Sequence, residues 1–234
     1  MSMAALTLLQ GRSQPLRLVI YDCDGVLIDS EPVASRVCAE EISALGWPMT
    51  AAECHAQFLG MSLSDMRPVI EAGIGRILPA DWVRGLAARL VDVLAQEATT
   101  VDGAEATLRA TTALGLDWRI ASNSGPAELT AKFARVGLSD LVLGRVHSAN
   151  EVISRGGRGK PAPDLFLAAA AASRVSPAEC VVVEDSATGI RGALAAGMTC
   201  LAFTPHGDMA GLAALGAAPV RSLYDLPALF GAAL

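Results

Sequence analysis

Leu16-Arg17-Leu18-Val19-Ile20-Tyr21-Asp22-Cys23-Asp24-Gly25 decides how the chain is read. Leu16, Leu18, Val19 and Ile20 make a short apolar run that stops at Asp22, the pattern of a buried strand delivering polar groups at its C-terminal end. Two carboxylates then fall within three residues, and Gly25 permits the tight turn that must follow. The same pattern recurs downstream, at 118–121 before Ser122, at 141–146 before His147 and at 180–183 before Glu184. Helical stretches lie between these runs, among them 129–136 closed by Gly137, and 163–172. Alternating strand and helix specify an α/β fold, a Rossmann-like parallel sheet core with helices on both faces.

Residues 33–99 break this rhythm with helix signals and no convincing strand. Thr50-Ala51-Ala52-Glu53 has capping-box spacing, Gly46 and Gly60 are placed to end helices, and 81–98 carries Val83, Leu86, Leu90 and Leu94 at helical intervals. The expected organisation is a core domain of residues 1–32 and 100–234 with an inserted α-helical cap domain, 33–99. Glu31-Pro32 and Val101-Asp102-Gly103 would be the joints, read as turns.

With 234 residues, 52% hydrophobic and 18% charged, the chain has ample material for a core and is not disordered. The net charge of −6 comes without a Lys/Arg cluster, so a nucleic-acid partner is not expected. The longest strongly apolar stretches, such as 165–172, fall far short of the roughly 20 residues that span a bilayer, so no membrane partner is expected either. Residues 1–10 have no basic residue ahead of Leu6 and read as a ragged leader, not a secretory signal. Cys23, Cys38, Cys54, Cys180 and Cys200 are odd in number and lack ligand spacing, which fits reduced thiols in the cytoplasm. A small-molecule substrate and a monomer are expected.

Four groups of residues carry chemistry. Asp22 and Asp24 suit a nucleophile and an acid/base: a carboxylate attacking a phosphoryl group splits one hydrolysis into two displacements, and a second carboxyl protonates the leaving oxygen and later deprotonates water. Glu184-Asp185 follows another buried strand, and parallel strands bring such ends to one edge of the sheet. Clustered acids there call for a cation, and an all-oxygen set suits Mg²⁺. Lys160, one of two lysines in the chain with Lys132, sits among prolines in Gly159-Lys160-Pro161-Ala162-Pro163-Asp164, placed to offset charge and bind a phosphoryl oxygen. The glycines of 155–159 lack the setting of a dinucleotide fingerprint and read as flexible loop. Ser122-Asn123-Ser124-Gly125 ends a strand and opens a helix, where hydroxyl, amide and free N–H groups suit phosphate.

In chain order, 22–31, Ser122-Asn123, 160–164 and Val183-Glu184-Asp185-Ser186 resemble the four motifs of the haloacid dehalogenase-like hydrolase superfamily, and 189–198 is similar to its last core helix. The cap position resembles the helical-cap subfamily of sugar-phosphate phosphatases and β-phosphoglucomutases. That resemblance implies an aspartyl-phosphate on Asp22, Asp24 as general acid/base, and Ser122, Asn123 and Lys160 around the phosphoryl group. It implies Mg²⁺ ligation by Asp22, the Asp24 carbonyl and Asp185, with Glu184 supporting that shell. True dehalogenases lack the second aspartate, so Asp24 disfavours that chemistry, and a cap without lysine excludes the Schiff-base chemistry of phosphonatase relatives. The mutase pattern has His and Arg where this chain has Ala34 and Leu63, leaving His55 and Arg67 as substitutes. The expected activity is a phosphatase acting on a sugar or sugar-acid phosphate; the alternatives are a phosphosugar mutase and a non-catalytic phosphometabolite-binding protein.

Overall fold

In the computed structural model, which describes residues 2–58, 61–205 and 209–234, the run before Asp22 becomes β1 (Leu18–Tyr21), buried along its whole length. It is preceded by α1 (Met3–Gln10) and followed by β2 (Ile28–Asp29). The helices α2 (Glu31–Ala44), α3 (Ala51–Phe58), α4 (Leu63–Ile74) and α5 (Trp82–Glu97) come next, then β3 (Thr99–Thr100). After α6 (Ala104–Ala113) and β4 (Asp117–Ser122) come α7 (Pro126–Arg135), α8 (Ser139–Val142), β5 (Val146–Ser148) and α9 (Ala149–Ile153). The chain continues through α10 (Asp164–Ser173), β6 (Cys180–Glu184), α11 (Ala187–Ala195) and β7 (Thr199–Phe203), and ends with α12 (Met209–Ala213), β8 (Ala218–Val220) and α13 (Leu226–Gly231).

Six strands form one sheet in the order β5-β4-β1-β6-β7-β8, while β2 and β3 make a separate two-stranded sheet. Every pairing in the larger sheet is parallel. The chain fills one side of β1 with β4 and β5, then the other with β6 to β8, so β1 stands at the switch point where open α/β sheets bind ligands. Register fixes what lies there. Tyr21 is level with Ile120 on one side and Val183 on the other, and the Asp22 N–H donates to the Val183 carbonyl at 2.9 Å. Successive β1 side chains point to opposite faces. Leu18 and Ile20 join a core with Phe166, Ala169, Val182, Ile190 and Cys200, while the Tyr21 hydroxyl meets Thr111 Oγ1 at 2.7 Å.

The chain divides into two units. The first holds Met1–Ile28, Thr100–Pro126 and Asp140–Leu234; the second holds Asp29–Thr99 with Ala127–Ser139, so 127–139, read from sequence with the core, belongs to the same unit as the helical insertion. In the second unit the Thr50 capping box forms, with the Thr50 N–H on Glu53 Oε2 at 2.7 Å and the Glu53 N–H on Thr50 Oγ1 at 3.2 Å. Leu86, Leu90 and Leu94 are buried along α5 with Trp82, one position before the expected Val83. Gly46 adopts φ 102 just past α2; Gly60, the other expected terminator, lies outside the described residues.

Three expectations are corrected. Residues 141–146 are not one strand: Leu141 and Val142 close the short α8, the Arg145 N–H turns back to the Val142 carbonyl, and β5 starts only at Val146. An apolar run too short to show periodicity reads equally as strand or turn. Residues 3–10 are not ragged, because Ala5 and Leu9, one helical turn apart, are buried, and Arg12 donates to the carbonyls of Cys180 and Ala178 at 2.8 and 2.9 Å. Glu31-Pro32 is not a turn but the first turn of α2, since proline's missing N–H costs nothing at a helix start. Among the described residues, no helix is long and apolar enough to cross a membrane.

Candidate active site

Asp22 leaves β1 with its carboxylate already engaged, since Oδ1 accepts from the Cys23 N–H at 2.7 Å and from Lys160 Nζ at 2.6 Å. The same ammonium donates to Glu184 Oε1 at 2.5 Å and lies 5.2 Å from the centre of the Phe166 ring. Glu184 is fully buried, Asp22 and Lys160 nearly so. Burial pushes the Asp22 carboxyl up to about 8, Glu184 adds to the push, and Lys160 opposes both. Burial alone would lower the Lys160 pKa, but Asp22 and Glu184 hold it above the ordinary lysine value. One ammonium thus serves two buried carboxyls.

Glu184 spends its other oxygen on local donors. Oε2 accepts from the N–H groups of Asp185 and Ser186, both at 3.1 Å, and from Ser186 Oγ at 3.0 Å. Ser186 caps α11, taking the Gly189 N–H at 3.0 Å. A Cβ on Gly189 would stand 1.7 Å from Glu184 Oε1, so only glycine admits that carboxylate against the helix. Gly25 is under two demands. Its φ is 76, and a Cβ would stand 1.8 Å from Asp185 Oδ2. The turn after Asp24 therefore presses bare backbone against the Asp185 carboxylate.

Asp24 faces a different set of partners, the hydroxyls at the end of β4. Its Oδ2 accepts from Ser122 Oγ at 3.2 Å and Ser124 Oγ at 3.0 Å. The Asn123 side chain is occupied by Lys160, accepting from its N–H at 2.9 Å and donating to its carbonyl at 3.3 Å. Asp22, Asp24, Ser122, Asn123, Lys160, Glu184 and Asp185 therefore come together at one sheet edge. Sequence reasoning placed Ser124, Ser186 and Gly189 inside motifs but gave none of them a role of its own. The signals for those roles were the Ser-Asn-Ser triplet and a serine three residues ahead of a glycine. The loop 155–159 closes on its own neighbours through the Gly157 N–H on Val152 O and the Arg158 N–H on Asp164 Oδ2. Lys132 is fully buried and paired with Glu128 at 2.8 Å. In the second unit Arg67 donates to Glu71 Oε1 and the Leu78 carbonyl, at 2.8 and 2.7 Å, and His55 Nδ1 lies 3.4 Å from Ser35 Oγ.

The donor set also fits a hard cation. One carboxylate oxygen each from Asp22, Glu184 and Asp185 lie within 4.8 Å of one another, and oxygen-only donors are the preference of divalent ions such as Mg²⁺.

Over residues 16–197 the sequence matches the haloacid dehalogenase-like hydrolase family. The chain belongs to that family. It is 28% identical to the 6-phosphogluconate phosphatase of Escherichia coli (strain K12), over 82% of this chain and 85% of that protein. It is 31% identical to the plasmid phosphoglycolate phosphatase of Cupriavidus necator, over 93% of this chain and 94% of that protein. A HAD family hydrolase from Deinococcus radiodurans R1, solved with bound phosphate and sodium, superposes with a TM-score of 0.76 at 32% identity, covering 94% of this chain and 96% of that one. The protein is an enzyme of the hydrolase class, with named phosphatases among its relatives.

Proposed function

We propose that this HAD hydrolase is a phosphatase that releases inorganic phosphate from a small phosphorylated metabolite, a sugar or sugar-acid phosphate, through an aspartyl-phosphate on Asp22. The observation that carries the reading is the pair of carboxylates two residues apart held in opposite settings, Asp22 against the Lys160 ammonium and Asp24 against two hydroxyls. An Asp22 oxygen attacks phosphorus, and the bond from phosphorus to the ester oxygen breaks. Asp24 gives its proton to that departing oxygen, then takes one from the water that cleaves the acyl phosphate, freeing phosphate and restoring Asp22. Lys160, Ser122 and Asn123 surround the phosphoryl group, Asn123 by fixing the Lys160 backbone.

Asp22, the Asp24 carbonyl and Asp185 would hold Mg²⁺, which would supply positive charge beside the phosphoryl group. Glu184, coated by Lys160 and three local donors, supports these ligands. Residues 33–99 act as the cap that selects the substrate. Hydrolysis is favoured over mutase chemistry because Ala34 and Leu63 offer no charge for a second phosphate, and Arg67 is committed to Glu71 and Leu78. Five buried free cysteines suit a cytoplasmic setting.

Phosphate release from a panel of sugar phosphates and an aryl phosphate tests this reading. Asp22→Asn should abolish turnover with an unchanged melting profile, and chelation should remove activity that added Mg²⁺ restores. Near-parental release by Asp22→Asn, or indifference to chelation, overturns it.

A further inference from the structure

Ser122 faces two claims on one proton. A hydroxyl donates a single hydrogen bond, and that of Ser122 points at Asp24 Oδ2, 3.2 Å away. If Ser122 serves the phosphoryl group, its donor must turn from Asp24 when substrate binds. Ser124 donates to the same Oδ2 from 3.0 Å. Its backbone is pinned independently of any ligand. The Ser124 N–H donates to Ser122 Oγ at 3.0 Å, and its carbonyl accepts from Ser148 Oγ at 2.7 Å. Ser148 is buried at the end of β5, and its Oγ in turn accepts from the Asn150 N–H at 3.2 Å.

We infer that Ser124 is a positioning residue for the reaction: it keeps Asp24 aimed while Ser122 transfers its hydrogen bond to the phosphoryl group. The inference rests on the reading of Asp24 as acid and base. Its signature lies in proton transfer, not in substrate grip. An alkyl phosphate expels a poor leaving group that needs the Asp24 proton as the bond to phosphorus breaks, whereas 2,4-dinitrophenyl phosphate expels an anion that does not. kcat/KM reports that first displacement in both cases.

The test measures kcat/KM of the Mg²⁺-supplied full chain and its Ser124→Ala, Ser124→Thr and Asp24→Asn variants, with an alkyl phosphate turned over by the parent and with 2,4-dinitrophenyl phosphate. Ser124→Ala should lose roughly tenfold or more on the alkyl ester and no more than about threefold on the dinitrophenyl ester. Ser124→Thr, which keeps the hydroxyl, should recover most of the alkyl activity. Equal losses on both esters, no loss on either, or a threonine variant as poor as alanine overturns the inference. Asp24→Asn separates the two levels. If it shows the leaving-group contrast and Ser124→Ala does not, only the role of Ser124 falls; if Asp24→Asn lacks the contrast, the reading of Asp24 falls and the inference with it.

Discussion

Glu184 lies at the end of β6 with four donors around it and no room beside it. Gly189→Ala would drive a methyl group into Oε1, and the carboxylate would have to give up Lys160, Ser186 or its place. We expect Gly189→Ala to cut kcat roughly 10- to 100-fold, the usual cost of disturbing a residue that supports a site without touching substrate. The protein should still fold, and circular dichroism beside phosphate-release kinetics checks both. At this scale the sequence was legible where chemistry follows chain spacing. Asp22, Asp24, Glu184 and Asp185 were identified because strand ends in a parallel sheet meet at one edge. The hold of Asn123 on the Lys160 backbone and of Ser124 on Asp24 was not, because these partners are 37 and 100 residues apart and nothing in local spacing marks such a meeting.

At the scale of elements, Asp117 joins three of them. At the head of β4, it accepts from Ser173 Oγ at the end of α10 at 2.5 Å, from Arg145 just ahead of β5 at 2.8 Å, and from the Trp118 N–H at 2.8 Å. Burial alone would raise its pKa, but these donors hold it below the ordinary aspartate value. A carboxyl depressed in the folded state adds stability that is present above its unfolded pKa, about 3.9, and is lost as pH falls through the lower folded value. Asp117→Asn should therefore lower Tm near neutral pH by about 2–4 °C, and the gap should close on acidification. Thermal melts of both proteins from pH 7 to pH 2 check this; a gap that stays constant would show that the anion contributes nothing. Elements themselves were legible where an apolar run met a clear stop, as at Asp22 and Glu184. Leu141 and Val142 misled because Gly144, at φ 72, breaks the backbone ahead of Arg145, and a short apolar run does not reveal that break.

For the whole molecule, the alternation of strand and helix specified the α/β core and its inserted helices, while the strand order had to be seen. The same holds for α1, whose composition resembles a leader but which buries Leu9 and Ala5 and packs on β7, β8 and α13. Deleting residues 2–11 should lower Tm by about 5–15 °C, the range for losing a buried leucine and its neighbours in a chain of this length. Activity well below the transition should stay within about twofold, because α1 contributes no group to the site and distant sites act independently. A melt together with a phosphate-release assay decides it; an unchanged Tm would return the segment to a dispensable leader.

The central place of β1 also sets a timetable. As the chain is made, Asp22 comes before the strands that flank β1, which begin at Asp117 and Cys180. Until the second of these is made, Asp22 sits at the end of a strand with a bare side, and such long-separation pairings are intrinsically slow to form. Lys160, which pairs with Asp22, follows it by 138 residues, and Glu184 and Asp185 come later still. A chain that stops before Glu184 therefore holds Asp22 without the carboxylates of Glu184 and Asp185 beside it. Fragments that stop short of Cys180 should therefore release no phosphate, however well their helices form.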